Sequence, residues 1–159
     1  MKKKAKTLRF EELGVGHEVP LSPVAEAILR ELQPRIAEVF DSEKAYGYLS
    51  HIGPQAIRVG IAIGQDPIAE FELEQMPGCC AIGITSYLVY TDEGARYLDF
   101  YNELREAIAS RAKWGLLMAT LVDDQNTQIN QLRTRGWRLD DRVKNPKTGN
   151  VVNVLVKQL

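Results

Sequence analysis

Apolar positions recur along the chain first at helical and then at strand spacing. Ala25, Ile28, Leu29 and Leu32 fall three or four residues apart, as on one face of a helix. Ser22-Pro23 offers an N-cap and a first-turn proline just before them. Pro34 ends this helix or begins a second, with Ile36, Val39 and Phe40 as its apolar side. Asp41 to Ser50, with three charges and Gly47, reads as a connection.

The period then changes to two. Ile57, Val59, Ile61 and Ile63 share one face of a strand over 56–63. Over 68–74, Ala69, Phe71 and Leu73 alternate with Glu70, Glu72 and Glu74, the pattern of a half-buried strand with a solvated face. Gly64-Gln65-Asp66-Pro67 joins the two as an antiparallel hairpin. Met76-Pro77-Gly78 ends it, and 80–90 reads as a central strand covered on both faces.

One long helix is expected over 92–113, with Leu98, Tyr101, Leu104 or Arg105, Ile108 and Ala112 as its buried stripe. A second buried strand follows over 116–122. A polar stretch, Asp123 to Thr127, then leads into a short helix carrying Ile129 and Leu132, and Gly136 stands at its left-handed end. Two further strands, 137–143 and 151–156, form a terminal hairpin around Asn145 to Asn150. Strand, long helix, strand makes one right-handed βαβ crossover with parallel neighbours. The expected class is α/β (α+β): a mixed, mostly antiparallel sheet with flanking helices. Residues 1–21 read as an arm and 22–159 as a single domain.

Charge changes the picture of the arm. The chain's 20 Lys+Arg nearly balance 21 Asp+Glu, but Lys2, Lys3, Lys4, Lys6 and Arg9 put five cations in the first nine residues. The remainder carries a net −6. A domain-wide nucleic-acid surface is not expected from such a body, whereas an anionic contact through the basic arm is. No apolar run approaches the roughly 20 residues of a membrane helix, so no membrane partner is expected. No apolar segment follows the lysines as in a secretory signal.

Other chemistry is sparse. Cys79 and Cys80 are adjacent, which closes no useful disulfide loop and fits free thiols in a reducing, cytoplasmic compartment. His17 and His51 stand far apart, with no spaced ligand set for zinc and no base beside a nucleophile. Asp123-Asp124, at a strand's C-terminal end, is a candidate cation contact or simply a polar loop.

The strand at 116–122, the helix opened by Asn126-Thr127, and Gly136-Trp137 before a terminal hairpin resemble the GNAT superfamily of acyl-CoA-dependent N-acetyltransferases. In element order the likeness runs from Ser22 to the C-terminus. The resemblance implies that a central strand splays from its parallel neighbour and pairs with the pantetheine of acetyl-CoA. It further implies that a glycine-rich loop at the next helix holds the diphosphate by its amides. Carried onto this chain, cofactor contacts fall at Leu88, Val89 and Tyr90 on the strand, Gly94, Ala95 and Arg96 on the loop, and Asn126.

The chain departs from that pattern. Gly94 matches the first loop glycine, but Arg96 stands where a second Gly or Ala belongs, and Thr91 replaces Gln or Arg. Asp92 and Glu93 complement a helix N-terminus but repel a diphosphate. Thr91 or Asp92 therefore reads as a cap. Leu132 holds the position of the family's proton-donating tyrosine. Tyr87, Tyr90, Tyr97 and Tyr101 lie near enough to replace it, although the four-residue spacing of the last two suits core packing. Lacking the loop, the chain is similar more narrowly to the acetyltransferase-like internal virion proteins of short-tailed phages.

Three functions are open at this point. One is a non-catalytic GNAT-like protein working through protein contacts as a virion or assembly component, in the host cytoplasm and virion. Another is an active N-acetyltransferase using acetyl-CoA, and a third is an unrelated α/β binding module. No catalytic residue is assigned.

Overall fold

A computed structural model describes residues 19–79 and 81–159. The basic arm's cations, His17, and the thiols of Cys79 and Cys80 lie outside the described residues and side chains. The chain forms α1 (Leu21–Glu31), α2 (Gln33–Val39), β1 (Ala45–Gly53), β2 (Ala56–Ile63), β3 (Asp66–Met76) and β4 (Ala81–Val89). Then come α3 (Asp92–Arg96), α4 (Leu98–Arg111), β5 (Leu116–Val122), α5 (Asn126–Thr134), β6 (Arg138–Lys144) and β7 (Val151–Gln158). The strands make one seven-stranded sheet in the order β1-β2-β3-β4-β5-β7-β6. Only β4 and β5 run parallel, on either side of the α3–α4 crossover. Every other neighbouring pair is antiparallel.

The strand alternation seen in the sequence selects the face that the helices cover. Ala69, Phe71 and Leu73 on β3 are fully buried, with Ile57, Val59 and Ile61 beside them on β2. The helices add Ile28, Ile36, Leu104, Ile108 and Leu132 to the same core. Phe71 and Tyr101 are its largest fully buried side chains. Burial of each such side chain contributes about 1.5–3 kcal/mol.

Several expectations need correction. Residues 45–50, expected as a connection, belong to β1, which pairs with β2 from Ala45–Ile63 onward. Gly47, which obscured that strand, lies against Leu29, where a Cβ would stand 2.5 Å from Leu29 Cδ2. Helix α1 begins at Leu21 after Pro20, and Ser22 does not cap it. Its hydroxyl instead lies 3.3 Å from His51 Nδ1. The expected long helix is broken at Tyr97, whose φ of −110° separates α3 from α4. β4 is buried over Ala81–Gly83 but exposed at Thr85, Leu88 and Val89, so it is not covered on both faces throughout.

Other expectations hold. Pro34 lies in the first turn of α2. Gly136 has φ 91°. There the Trp137 and Gly136 amides reach back to the Leu132 and Arg133 carbonyls, both at 3.0 Å, closing α5.

A half-buried carboxylate ties the later elements together. Glu106 on α4 accepts from Arg135 Nη2 at 2.6 Å and Trp137 Nε1 at 2.9 Å, and lies 3.1 Å from Lys157 Nζ. Burial pushes its carboxyl up, but these hydrogen bonds outweigh burial and hold it below the usual range.

Candidate functional site

β4 and β5 separate partway along their length. Their parallel ladder runs only from Ala81–Leu116 to Ile84–Ala119, although β4 continues to Val89 and β5 to Val122. The local cause is a bulge. On the β3 side, Glu72 pairs with Ser86 and Leu73 with Ile84, so Thr85 is an extra residue. A bulge bends its strand and sharpens the twist, which carries β4 away from β5. The edge of 85–89 that faces β5 is left without a strand partner.

Helices α4 and α5 close over the gap and leave a cleft of about 290 Å³. Ile84, Ser86 and Tyr87 line it from β4, Asn102 and Arg105 from α4, and Gln128, Gln131 and Leu132 from α5. Arg105 is 7% exposed. Its guanidinium lies 5.5 Å from the Tyr87 ring centroid and 5.6 Å from that of Phe71. Among the described residues no carboxylate pairs with it. Burial lowers its pKa to about 10, against a smaller opposing effect of Tyr87. Burial likewise raises the hydroxyls of Tyr87 and Tyr101 well above the ordinary tyrosine range.

The loop residues carried over from the resemblance do not reach this cleft. Thr91 caps α3, as expected: the Gly94 N–H donates to its hydroxyl at 3.3 Å and to its carbonyl at 3.0 Å. Gly94 is buried against β3, where a Cβ would stand 2.7 Å from the Ile68 carbonyl oxygen. Ala95 and Arg96 are exposed, and Arg96 pairs with Glu93 at 3.2 Å. Asn126 is exposed at the first position of α5. Gln125 holds the cap position there and accepts from the Val122 N–H at 3.0 Å.

The strand positions fare differently. Leu88 and Val89 pair with Glu70 and Ala69 on one side, leaving their other edge toward the opening. The Tyr90 N–H extends that pairing to the Ile68 carbonyl at 2.9 Å. The phenol of Tyr90 is influenced by Glu70, which with burial pushes it up. Tyr97 packs on Phe40 with ring centroids 4.4 Å apart, and Tyr101 is core.

Glu70 departs from the solvated face expected for it. It is 9% exposed, accepts from the Tyr48 hydroxyl and lies 3.2 Å from Arg58 Nε. Glu72 binds Arg58 Nη2 at 2.7 Å and Thr85 Oγ1 at 3.1 Å. Neither carboxylate lines the cleft. Asp123 is held by Asn153 Nδ2 at 2.7 Å and Arg142 Nη2 at 3.0 Å, so it serves the terminal hairpin.

Sequence reasoning missed Ser86, Asn102 and the glutamines as cleft residues, and placed Arg105 only as an alternative to Leu104 in the buried stripe. One signal was present: Gln125, Gln128 and Gln131 recur every three residues on one face of α5.

Element order, one parallel pair and its separation define a mixed, mostly antiparallel sheet with a split centre, and the fold is that of the GNAT N-acetyltransferases. The solved structures bear this out. An IAA acetyltransferase from Bacillus cereus superposes with a TM-score of 0.56 at 9% identity, over 72% of this chain and 99% of that one. A GCN5-related N-acetyltransferase from Kribbella flavida gives 0.56 at 15% identity, over 84% and 93%. An acetyltransferase from Bacillus subtilis in complex with CoA gives 0.55 at 8% identity, over 73% and 99%. No family model matches the sequence, and no curated protein matches it.

Proposed function

We propose that this chain is a GNAT-fold protein with a degraded acyl-CoA diphosphate loop, working through protein contacts as a component of an assembly. The observation that carries this reading is the state of Gly94. Its amide, a helix N-terminal donor of the kind that would meet a diphosphate, is already taken by Thr91. Its lack of a side chain is explained by the Ile68 carbonyl. Asp92 and Glu93 add negative charge at the same turn. The residues therefore do not fit the diphosphate of acetyl-CoA, although the separated strands suit its pantetheine arm. Leu132, buried in the cleft wall, offers no proton to a leaving thiolate. A phage virion is the kind of assembly suggested by the sequence resemblance, with Lys2, Lys3, Lys4, Lys6 and Arg9 as the anionic-partner contact.

The alternative is an active acyl-CoA-dependent N-acetyltransferase. It is favoured by the unpaired β4 edge beyond Ile84, the feature that would receive pantetheine. Thermal unfolding with millimolar acetyl-CoA, together with CoA release in the presence of polyamine and peptide amines, separates the two. The assembly reading expects no rise in midpoint and no CoA. A saturable rise accompanied by CoA release overturns it, because a ligand specific to the folded state stabilises by mass action.

A further inference from the structure

Seven buried side-chain polar atoms lack a hydrogen-bond partner among the described residues, and four of them converge on the β4–β5 cleft. These are Ser86 Oγ, Asn102 Oδ1, Arg105 Nε and Gln131 Oε1. Buried polar atoms are nearly always paired, and a buried charge is costly unless something neutralises it. The rings of Tyr87 and Phe71 attract the guanidinium but cannot accept its in-plane N–H bonds. None of the described residues lining the cleft is acidic, and the carboxylate of Glu72, which meets Thr85 at its edge, is paired with Arg58. The neighbouring Glu106 is turned to Arg135 and Trp137 instead.

We propose that this cleft is a binding site for a small organic carboxylate, held by the guanidinium of Arg105 and the polar ends of Ser86, Asn102 and Gln131. A guanidinium fork matches a carboxylate in geometry and charge. The two side-chain amides present either a donor or an acceptor by rotation. Ile84, Ala119 and Leu132 supply apolar wall for a short carbon chain. At about 290 Å³ the cleft limits the ligand to a small molecule. The assignment needs no bound acetyl-CoA, and pantetheine in the same β4–β5 gap would compete with the carboxylate.

The test is calorimetry and thermal unfolding of the full chain at constant ionic strength. Sodium succinate is the probe, with uncharged succinamide and inorganic phosphate as controls. Succinate is expected to bind saturably and raise the midpoint, and succinamide to do neither. Arg105→Met, which keeps length but removes charge, is expected to weaken succinate at least tenfold. If that variant does not fold, Ser86→Ala and Gln131→Leu are each expected to weaken succinate. Three results overturn the site: no response to succinate, a response to phosphate alone, or undiminished succinate binding in the variants. The acetyl-CoA experiment has a different ligand and reads CoA release besides the midpoint, so failure of one proposal is distinguishable from failure of the other.

Discussion

Gly94 in the first turn of α3 faces the carbonyl oxygen of Ile68 on β3, and a methyl group there would stand 2.7 Å from that oxygen. The obstacle is backbone, with Val89 Cγ1 at 3.0 Å and Ala69 Cβ at 3.2 Å on either side. The glycine therefore sets how closely α3 approaches the sheet.

Gly94→Ala is expected to lower stability by about 1–3 kcal/mol, the usual cost of overpacking a tight site. Urea unfolding measures this, and the loss should appear with no cofactor present. An unchanged midpoint would show that the glycine is not there for packing.

Glu106 predicts a pH dependence. Its folded pKa lies below its unfolded value, which is about 4.3. Its contribution is therefore complete above that pH and is lost as pH falls toward and through the folded pKa. Glu106→Gln is expected to cost about 2 kcal/mol at neutral pH, as for a lost charged hydrogen bond, and less as pH drops below 4. Denaturation curves from pH 7 to 3 should show wild type and variant converging. A constant gap would remove the titration argument.

Arg35 and Glu103 provide a contrast. They meet between α2 and α4 through Nη2 and Oε2 at 2.7 Å, but both side chains are more than 40% exposed. A double-mutant cycle with alanine is expected to give a coupling under about 1 kcal/mol, falling with added salt. A larger, salt-independent coupling would contradict the surface assignment.

Gly60 lets the Tyr48 ring cross β2 toward Glu70. A methyl at Gly60 would stand 2.3 Å from Tyr48 Cζ. The ring is a movable end, so Gly60→Ala is expected to displace it and break the Tyr48–Glu70 hydrogen bond, costing about 1 kcal/mol. Burial and that bond now hold the Tyr48 hydroxyl above the ordinary range. Ultraviolet titration should show one tyrosine more ionising near pH 10 in the variant; an unchanged titration would mean that the ring has not moved.

Much of the fold was legible because it is written in local periods. The alternation of Ala69, Phe71 and Leu73 with three glutamates fixed one strand and its buried face. Gly136 marked a helix end because only a left-handed residue closes that turn without strain. The break at Tyr97 and the strand through Gly47 were not legible. Both depend on a partner distant in sequence: Phe40 packed on Tyr97, and Leu29 on Gly47.

The cleft divides in the same way. Local sequence determined the cap at Thr91 and the acidic turn after it, since a side-chain cap needs only neighbours three residues away. Tertiary structure alone decided that Gly94 lies against the Ile68 carbonyl, that β4 leaves β5 after Ile84, and that Arg105 is buried with no carboxylate paired to it among the described residues. An arginine in a helical stripe looks the same in sequence whether it faces solvent, an acid or an empty cleft. Its surroundings come from four elements, and only their packing sets which groups meet and which remain unpaired.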